Sequence, residues 1–460
     1  MPISHDTIAA IATAHGMAGI AVLRISGPDA YTIALKHLAI KELSPRHATF
    51  SIFLIGDTVI DEVVATYFPA PHNYTGEDTV EISCHGSIYI QQTILDTLIS
   101  SGARLAEAGE FTQRAFLNGR LNLSQSEAVA DLIESTNRGA HKLAMSQMRG
   151  TYEQRLKALR QQFVELTSLM ELELDFSEED VEFADRSRLL DMTRRLYAEC
   201  SQMKNSFRQG NAIRNGVAVA IIGAPNVGKS TLLNALVGDD RAIVSDTPGT
   251  TRDTIEDTLT INGILFRFID TAGIRHSDDT IENAGIRRSI EAARRADIIL
   301  YLVTADTPQT DIEQQIQHLG KEASLNEKKL VIVQTKCALT NPITLDAEFT
   351  ETEHFDEIKC LQTSAKEGDG IEELKNTLLA LITNNIDDET PIVSNSRHLS
   401  ALQEIVAILP RIETQIKANH PADLIVIDLR EILYHLGTIT GEVASNEILH
   451  TIFSRFCIGK

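Results

Sequence analysis

The chain has 460 residues, 43% hydrophobic and 23% charged, the balance of an ordinary soluble protein. That length is too great for one core, so roughly two to four domains are expected. Its 42 Lys and Arg against 64 Asp and Glu leave a net charge of −22, which argues against broad, non-specific nucleic-acid binding.

No apolar run reaches the roughly 18–20 residues that span a bilayer. The start, MPISHDTIAA, has no basic region followed by an apolar one, so no secretory signal is visible. Cys84, Cys200, Cys337, Cys360 and Cys457 are scattered and suit a reducing compartment, without a disulfide frame or paired zinc spacing. A cytoplasmic protein without a membrane segment is expected.

Over residues 1–120, GIAVLRIS, TFSIFLI, EVVATYF and DTVEIS are β-branched and aromatic runs bounded by turn residues, and SIYIQQTILDTLISSG has helical spacing with a glycine stop. They predict a small α/β domain with one helix. In EISCHG, Cys84 and His85 are adjacent without further ligands, a poor metal site.

From 121 to 212 the pattern becomes long amphipathic helices. Val129, Leu132, Ile133 and Leu143 recur at helical steps, as do Leu156, Leu159, Phe163, Leu166 and Met170. Arg138, Lys142, Arg149, Arg155, Lys157 and Arg160 form a basic stretch, read first as a solvated surface and second as an RNA contact. The acidic run ELELDFSEEDVEF at 171–183 reads as a solvated helix end and loop rather than a metal site.

Residues 213–384 alternate strand, loop and helix, the pattern of a doubly wound, mostly parallel sheet. From 385 to 460 the chain is helical again, so the α/β segment is expected to be inserted between two helical parts that pack together. The fold class is therefore multidomain, α/β and all-α.

Within the inserted segment, VAVAIIGAPNVGKSTLLNAL matches the phosphate-binding pattern at Gly223, Gly228, Lys229 and Ser230. Glycines let backbone N–H groups wrap an anion at the helix start, here through Asn226, Val227, Gly228 and Thr231. Lys229 bridges the outer phosphates and the Ser230 hydroxyl faces Mg2+. Asn226 offers an oxygen where a monovalent cation sits.

SDTPGTTRD follows, carrying Ser245, Asp246, Thr247, Pro248, Gly249, Thr250 and Thr251 as a threonine loop that closes over metal and phosphate. FRFIDTAGI then ends a strand in Asp270, Thr271, Ala272 and Gly273: Asp270 holds Mg2+ through water and the Gly273 amide senses the γ-phosphate. Ile274 stands where a water-orienting glutamine is usual, so a nearby acid such as Glu282 must supply that role.

Base selection falls on two later turns. In TKCA, Thr335 ends a strand and the Lys336 stem lies over the base, but position 338 is Ala, whose side chain accepts nothing from guanine. In LQTSAKEG, the Ser364, Ala365 and Lys366 turn points the Ala365 amide at guanine O6. A weakened guanine preference is expected.

Beyond single motifs, GAPNVGKS, PGTTRD at 248–253, DTAGIR at 270–275, AGEFTQRAFLNGRLNLSQSEAVADLI at 108–133 and the terminal FCIGK resemble the MnmE (TrmE) family of tRNA modification GTPases from end to end. The resemblance implies an N-terminal α+β domain over 1–120 that binds folate and dimerises, a helical domain in two parts over 121–212 and 385–460, and an inserted GTPase domain over 213–384.

It further implies K+ held by Asn226, Ser245, Thr247 and Thr250, Mg2+ held by Ser230 and Thr251, and Glu282 as the water-orienting acid. Arg24, Glu81, Arg120 and Lys460 fall at positions contacting 5,10-methylene- or 5-formyl-tetrahydrofolate; Arg120 stands where lysine is usual. A flavin-dependent MnmG-type partner and modification of carbon 5 of the tRNA wobble uridine are implied too. Cys457 is either a catalytic thiolate or a small apolar residue in a docked tail. Two alternatives stay open, an RNA-binding assembly GTPase without modification chemistry and a folate-binding protein with a broad-specificity nucleotide sensor.

Overall fold

The computed structural model describes residues 6–175, 186–238, 257–269, 282–323, 328–336, 355–383, 392–443, 445–454 and 456–459. In chain order the N-terminal elements are β1 (Ile8–Ile11), β2 (Ala18–Ser26), α1 (Ala30–Leu35), β3 (Thr49–Ile55), β4 (Thr58–Phe68), β5 (Thr79–Gly86), α2 (Ile88–Ser100), β6 (Arg104–Leu105) and α3 (Glu110–Leu117). Helices α4 (Leu123–Glu134), α5 (Arg138–Met148), α6 (Thr151–Asp175), α7 (Arg186–Asn205) and α8 (Phe207–Asn215) follow.

Then come β7 (Val217–Gly223), α9 (Lys229–Val237), β8 (Asp257–Ile261), β9 (Ile264–Ile269), α10 (Glu282–Arg295), β10 (Ile298–Thr304), α11 (Gln309–Ala323), β11 (Lys329–Thr335), β12 (Glu357–Thr363) and α12 (Ile371–Thr383). The chain closes with α13 (Ser396–Lys417), α14 (Ala422–Thr440) and α15 (Asn446–Phe453).

The chain divides into two compact units. The first comprises Met1–Ile133, Met145–Tyr197 and Glu404–Lys460. Its sheet runs in the order β3-β4-β5-β2-β1-β6, antiparallel except for the β1–β6 pair. Apolar side chains alternate along these strands, and one face buries Leu23, Ile25, Phe53 and Ile82 with Ile94 and Leu98 of α2. Such alternation is what one covered face requires.

Three helices, not one, accompany this sheet, because α1 and α3 are each too short to show a full helical stripe. In the helical part Leu156, Leu159, Phe163, Leu166 and Met170 of α6 are all fully buried, as their spacing requires, and α6 packs along α14. On α4 the stripe is narrower than its spacing suggests: Val129 is buried but Ile133 is half exposed.

The second unit comprises Glu134–Ala144 and Ala198–Gln403. Its sheet order is β12-β11-β10-β7-β9-β8, parallel throughout except for β8 against β9. One face buries Leu232 and Leu236 of α9, Leu374 and Leu378 of α12 and Ala212 of α8. The other buries Ala293 of α10 and Ile312 and Ile316 of α11. Helices on both faces explain why β7, β10 and β11 are near-continuous apolar runs. Successive connections leave β7 in opposite directions, so the crevice for a ligand lies at its carboxyl end.

Candidate functional site

At that end β7 turns through the glycine loop into α9. Gly223 has φ +154°, and an added Cβ would sit 2.5 Å from the Leu302 carbonyl oxygen of β10, so only glycine fits. Asn226 and Gly228 also take positive φ, 60° and 108°, and nothing lies within 4 Å of where a Gly228 Cβ would point. The loop thus turns its backbone tightly into the start of α9, a geometry that suits a polyphosphate.

Lys229 opens α9, and its Nζ donates to Gly223 O at 2.8 Å and Ala224 O at 2.9 Å. Burial lowers its pKa from the ordinary lysine value. Ser230 and Thr231 are exposed in the first turn, whereas the Val227 side chain is buried in the core, leaving only its backbone for the loop.

The carboxyl end of β11 is stitched to this loop. Thr335 Oγ1 donates to Val227 O at 2.7 Å, with Val303 O 3.2 Å away. Lys336, at φ +62°, donates from Nζ to Asn226 O at 3.2 Å. The lysine expected to cover the base therefore also closes the phosphate loop. Thr335 pairs in register with Thr363, whose buried hydroxyl has no hydrogen-bond partner among the described residues.

Beyond Thr363 the turn is tied by Ser364 N to Asp369 O at 2.9 Å and by Gly368 N to Ser364 O at 2.8 Å. Ser364 is buried, Lys366 is exposed, and Ala365 packs partly against the core. No described acceptor takes the Ala365 N–H.

Other expected nucleotide and metal residues lie outside the described residues: Ser245, Asp246, Thr247, Pro248, Gly249, Thr250 and Thr251, then Asp270, Thr271, Ala272 and Gly273. So do Ile274, Cys337 and Ala338. Glu282 is the first residue of α10.

In the first unit, β2 and β5 place Arg24 opposite Glu81 in register. Arg24 Nε donates to Glu81 Oε1 at 2.9 Å, and the guanidinium carbon lies 5.5 Å and 5.6 Å from the ring centres of Tyr74 and Phe111. Sequence reasoning missed both rings; Phe111 lies inside AGEFTQ, the signal that marks it. Arg120 Nε donates to Asn73 O at 3.0 Å, so Arg24 and Arg120 are anchored on the adjacent residues Tyr74 and Asn73.

An ion network supports this corner. Arg114 NH2 bonds Asp6 Oδ1 at 2.7 Å and Glu110 Oε1 at 2.9 Å, while Arg104 NH2 bonds Glu110 Oε1 at 2.6 Å. Burial raises the Glu110 pKa, but hydrogen bonds from Arg104, the Glu107 amide and Arg114 outweigh it and leave the carboxyl below its ordinary value.

The C-terminal tail docks on the same unit. Ile458 bridges Ala108, and Phe456 is buried 5.5 Å from the Phe453 ring. Gly459, at φ +99°, leaves no room for a Cβ, which would lie 2.2 Å from Ile11 O. Cys457 is exposed rather than packed, so its thiol is not the small apolar filler considered above. Lys460 lies outside the described residues.

Cys84 is buried and its neighbour His85 is exposed. His85 Nδ1 lies 2.7 Å from Asp61 Oδ1, and burial with the Asp61 charge pushes the Cys84 thiol up to about 11. No group of three or more potential His, Cys, Asp or Glu ligands is gathered among the described residues. In the basic stretch Lys157 pairs with Glu153 and Arg160 with Glu442, while Lys142 and Arg149 are exposed. No helix among the described residues is long and apolar enough to cross a membrane.

The strand order and the glycine loop leading into α9 define a P-loop nucleotide-binding protein of the GTPase class. Residues 7–120 match the family described as GTP-binding protein TrmE N-terminus, and residues 123–457 match the MnmE helical domain. A relative from Porphyromonas gingivalis, named tRNA modification GTPase MnmE, is 46% identical over 468 residues, covering 99% of this chain and 98% of its own length. One of the same name from Parabacteroides distasonis is 47% identical over 465 residues, covering 99% of this chain and 100% of its own length. The chain belongs to the MnmE family of tRNA modification GTPases.

Among solved structures, the G domain of the T. maritima FeoB iron transporter is 26% identical at TM-score 0.25, covering 35% of this chain and 96% of that one. Era in complex with MgGDPNP and a 16S ribosomal RNA segment is 27% identical at TM-score 0.27, covering 42% of this chain and 66% of that one. At those scores the likeness adds nothing to the fold, which stands on its own strand order.

Proposed function

We propose that the protein is a K+-stimulated GTP hydrolase that works with a flavin-dependent MnmG-type partner to modify carbon 5 of the tRNA wobble uridine, adding a (carboxymethyl)aminomethyl group in the cytoplasm. The observation that carries the hydrolase reading is the loop from Gly223 to Lys229, whose glycines and exposed Ser230 hydroxyl fit a Mg2+-bound triphosphate.

Ser230 and Thr251 are assigned to Mg2+, and Asn226, Ser245, Thr247 and Thr250 to K+. The two cations supply positive charge against the phosphate oxygens when bound. Lys229 binds the outer phosphates in exchange for its present carbonyl acceptors. Lys336 and Thr335 hold the base-side strand against the phosphate loop, so both ends of the ligand are positioned by one stitched segment. Glu282 orients the attacking water.

In the N-terminal unit, Arg24, Glu81, Arg120 and Lys460 are assigned to a tetrahydrofolate, 5,10-methylene or 5-formyl, which would supply a one-carbon unit. The residues present suit it: Glu81 accepts from ring N–H donors, the cations attract carboxylates, and Tyr74 and Phe111 offer aromatic surface. The docked tail carries Cys457 as an exposed thiol beside this domain, and we assign it a covalent role in the modification. Homodimerisation through residues 1–120 completes the proposal.

GTP hydrolysis by the purified protein in equal concentrations of KCl and NaCl tests it. Hydrolysis several-fold or more faster in KCl is expected; equal rates in the two salts would remove the K+ assignment.

A further inference from the structure

The two guanidinium groups assigned to the folate site are held in different ways. Arg24 lies within β2 and is fixed by Glu81 and by the rings of Tyr74 and Phe111. Arg120 is exposed and lies beyond the end of α3, where a long side chain left to itself samples many rotamers. A cation that must first be ordered binds a carboxylate weakly, because the lost rotamer freedom is subtracted from the affinity.

The loop between β4 and β5 supplies the order. Asn73 closes it on itself: its Oδ1 accepts from Gly76 N at 2.8 Å, while its Nδ2 donates to Glu77 O and, at 2.8 Å, to Phe68 O. The backbone carbonyl of this same Asn73 accepts from Arg120 Nε at 3.0 Å. Asn118, which ends α3, donates its Nδ2 to Thr75 O at 2.7 Å. Gly76 lets these groups approach. Its φ is +79°, and an added Cβ would lie 2.9 Å from Asn118 Cβ and 3.2 Å from Arg120 Cγ. The stem of Arg120 therefore rests against Gly76, and two asparagines pin one short segment, residues 73–76.

That segment also governs Arg24. Tyr74 carries the ring under the Arg24 guanidinium and its hydroxyl lies 2.8 Å from Thr112 Oγ1. One pinned stretch of backbone thus sets the positions of both cations. With Nε tied to Asn73 O, the two terminal nitrogens of Arg120 have no partner among the described residues. They form the planar fork that takes a carboxylate through two parallel hydrogen bonds, and a folate offers such groups on its glutamyl end.

We propose that Asn118 and Asn73 are the positioning residues of the folate site: by pinning residues 73–76 they hold Arg120 as a pre-formed carboxylate fork at a set distance from Arg24. The inference rests on the folate assignment above and names what orders that site. Each asparagine acts through Arg120, as supporting hydrogen bonds do around a preorganised site.

The test is calorimetric binding of 5-formyltetrahydrofolate to the full-length protein, arranged as a double-mutant cycle between Asn118→Ala and Arg120→Ala. Asn118→Ala is expected to raise Kd about fivefold, the worth of one hydrogen bond, and Arg120→Ala about tenfold or more. Beside Arg120→Ala, Asn118→Ala is expected to change Kd by less than about twofold, because its effect runs through the guanidinium. A general structural role would carry the full loss into the double variant, and that result would overturn the inference. An unaltered Kd for Asn118→Ala would overturn it as well. No binding by the unaltered protein would remove the folate assignment itself and the inference with it.

Asn73→Ala gives an independent arm. It loosens the carbonyl that holds Arg120 and is expected to raise Kd about tenfold alone, with the melting temperature showing the protein folded, but less than about twofold beside Arg120→Ala. Additive losses in a folded double variant would overturn the assignment.

Discussion

Replacing Gly459 by alanine should release the C-terminal tail while leaving the rest of the first unit folded. The residue has φ +99°, which costs a non-glycine side chain about 1–3 kcal/mol. Its Cβ would also lie 2.2 Å from Ile11 O, inside any real contact distance, and relieving that overlap costs about 1–3 kcal/mol more. Against this stands the anchor, mainly burial of Phe456 beside Phe453, worth about 1.5–3 kcal/mol. Strain and anchor are of one size, so the tail of Gly459→Ala spends a large share of its time undocked.

Hydrogen exchange of the C-terminal peptide reads this directly, with the α2 peptide as internal control. Exchange in the tail is expected to accelerate roughly a hundredfold, the equivalent of about 3 kcal/mol, with α2 unchanged. Tail protection equal to that of the unaltered protein would show that Gly459 does not sit against Ile11, and the docking argument would fail.

Glu110→Gln should lower the stability of the first unit by about 3 kcal/mol at neutral pH, because two guanidinium groups lose their shared carboxylate. Since the folded Glu110 pKa lies below its ordinary value of 4.5, this contribution is complete above pH 4.5 and is lost as pH falls through the lowered folded value. Denaturation curves should therefore converge for the two proteins in acid and separate above pH 4.5. Gly139→Ala places a Cβ 2.3 Å from Gly263 O, where Gly139 N donates to the turn between β8 and β9, and should cost about 1–3 kcal/mol, seen as a lower melting temperature. Thr335→Val removes the donor to Val227 O and should raise the KM for GTP about fivefold, for a loss of about 1 kcal/mol, with kcat nearly unchanged.

What could be read from the chain was what is local. The spacing of Gly223, Gly228 and Lys229 dictates a loop whose positive φ values need glycine, and α6 writes its buried stripe from Leu156 to Met170, about four turns of sequence. Helices α1 and α3 left too little periodicity to be seen. Ile133 kept the helical step but is half exposed, because the pattern gives a face and not its neighbours.

The contacts that shape the sites are long-range. Arg24 and Glu81 meet only through the register of β2 with β5, 57 positions apart, and Tyr74 and Phe111 join them from a loop and from α3. The Thr335 bond to Val227 O crosses 108 positions. No motif announces such partners, since each depends on how strands align rather than on neighbouring residue types.

The central claim is that nucleotide hydrolysis at the Lys229 loop drives tRNA modification. The most direct measurement is mass spectrometry of wobble-uridine nucleosides from cells lacking this gene, complemented with the unaltered gene or with Lys229→Ala. The account predicts that carbon-5 modification disappears in the deletion and returns only with the unaltered gene. Normal modification in the deletion strain, or full restoration by Lys229→Ala, would contradict it.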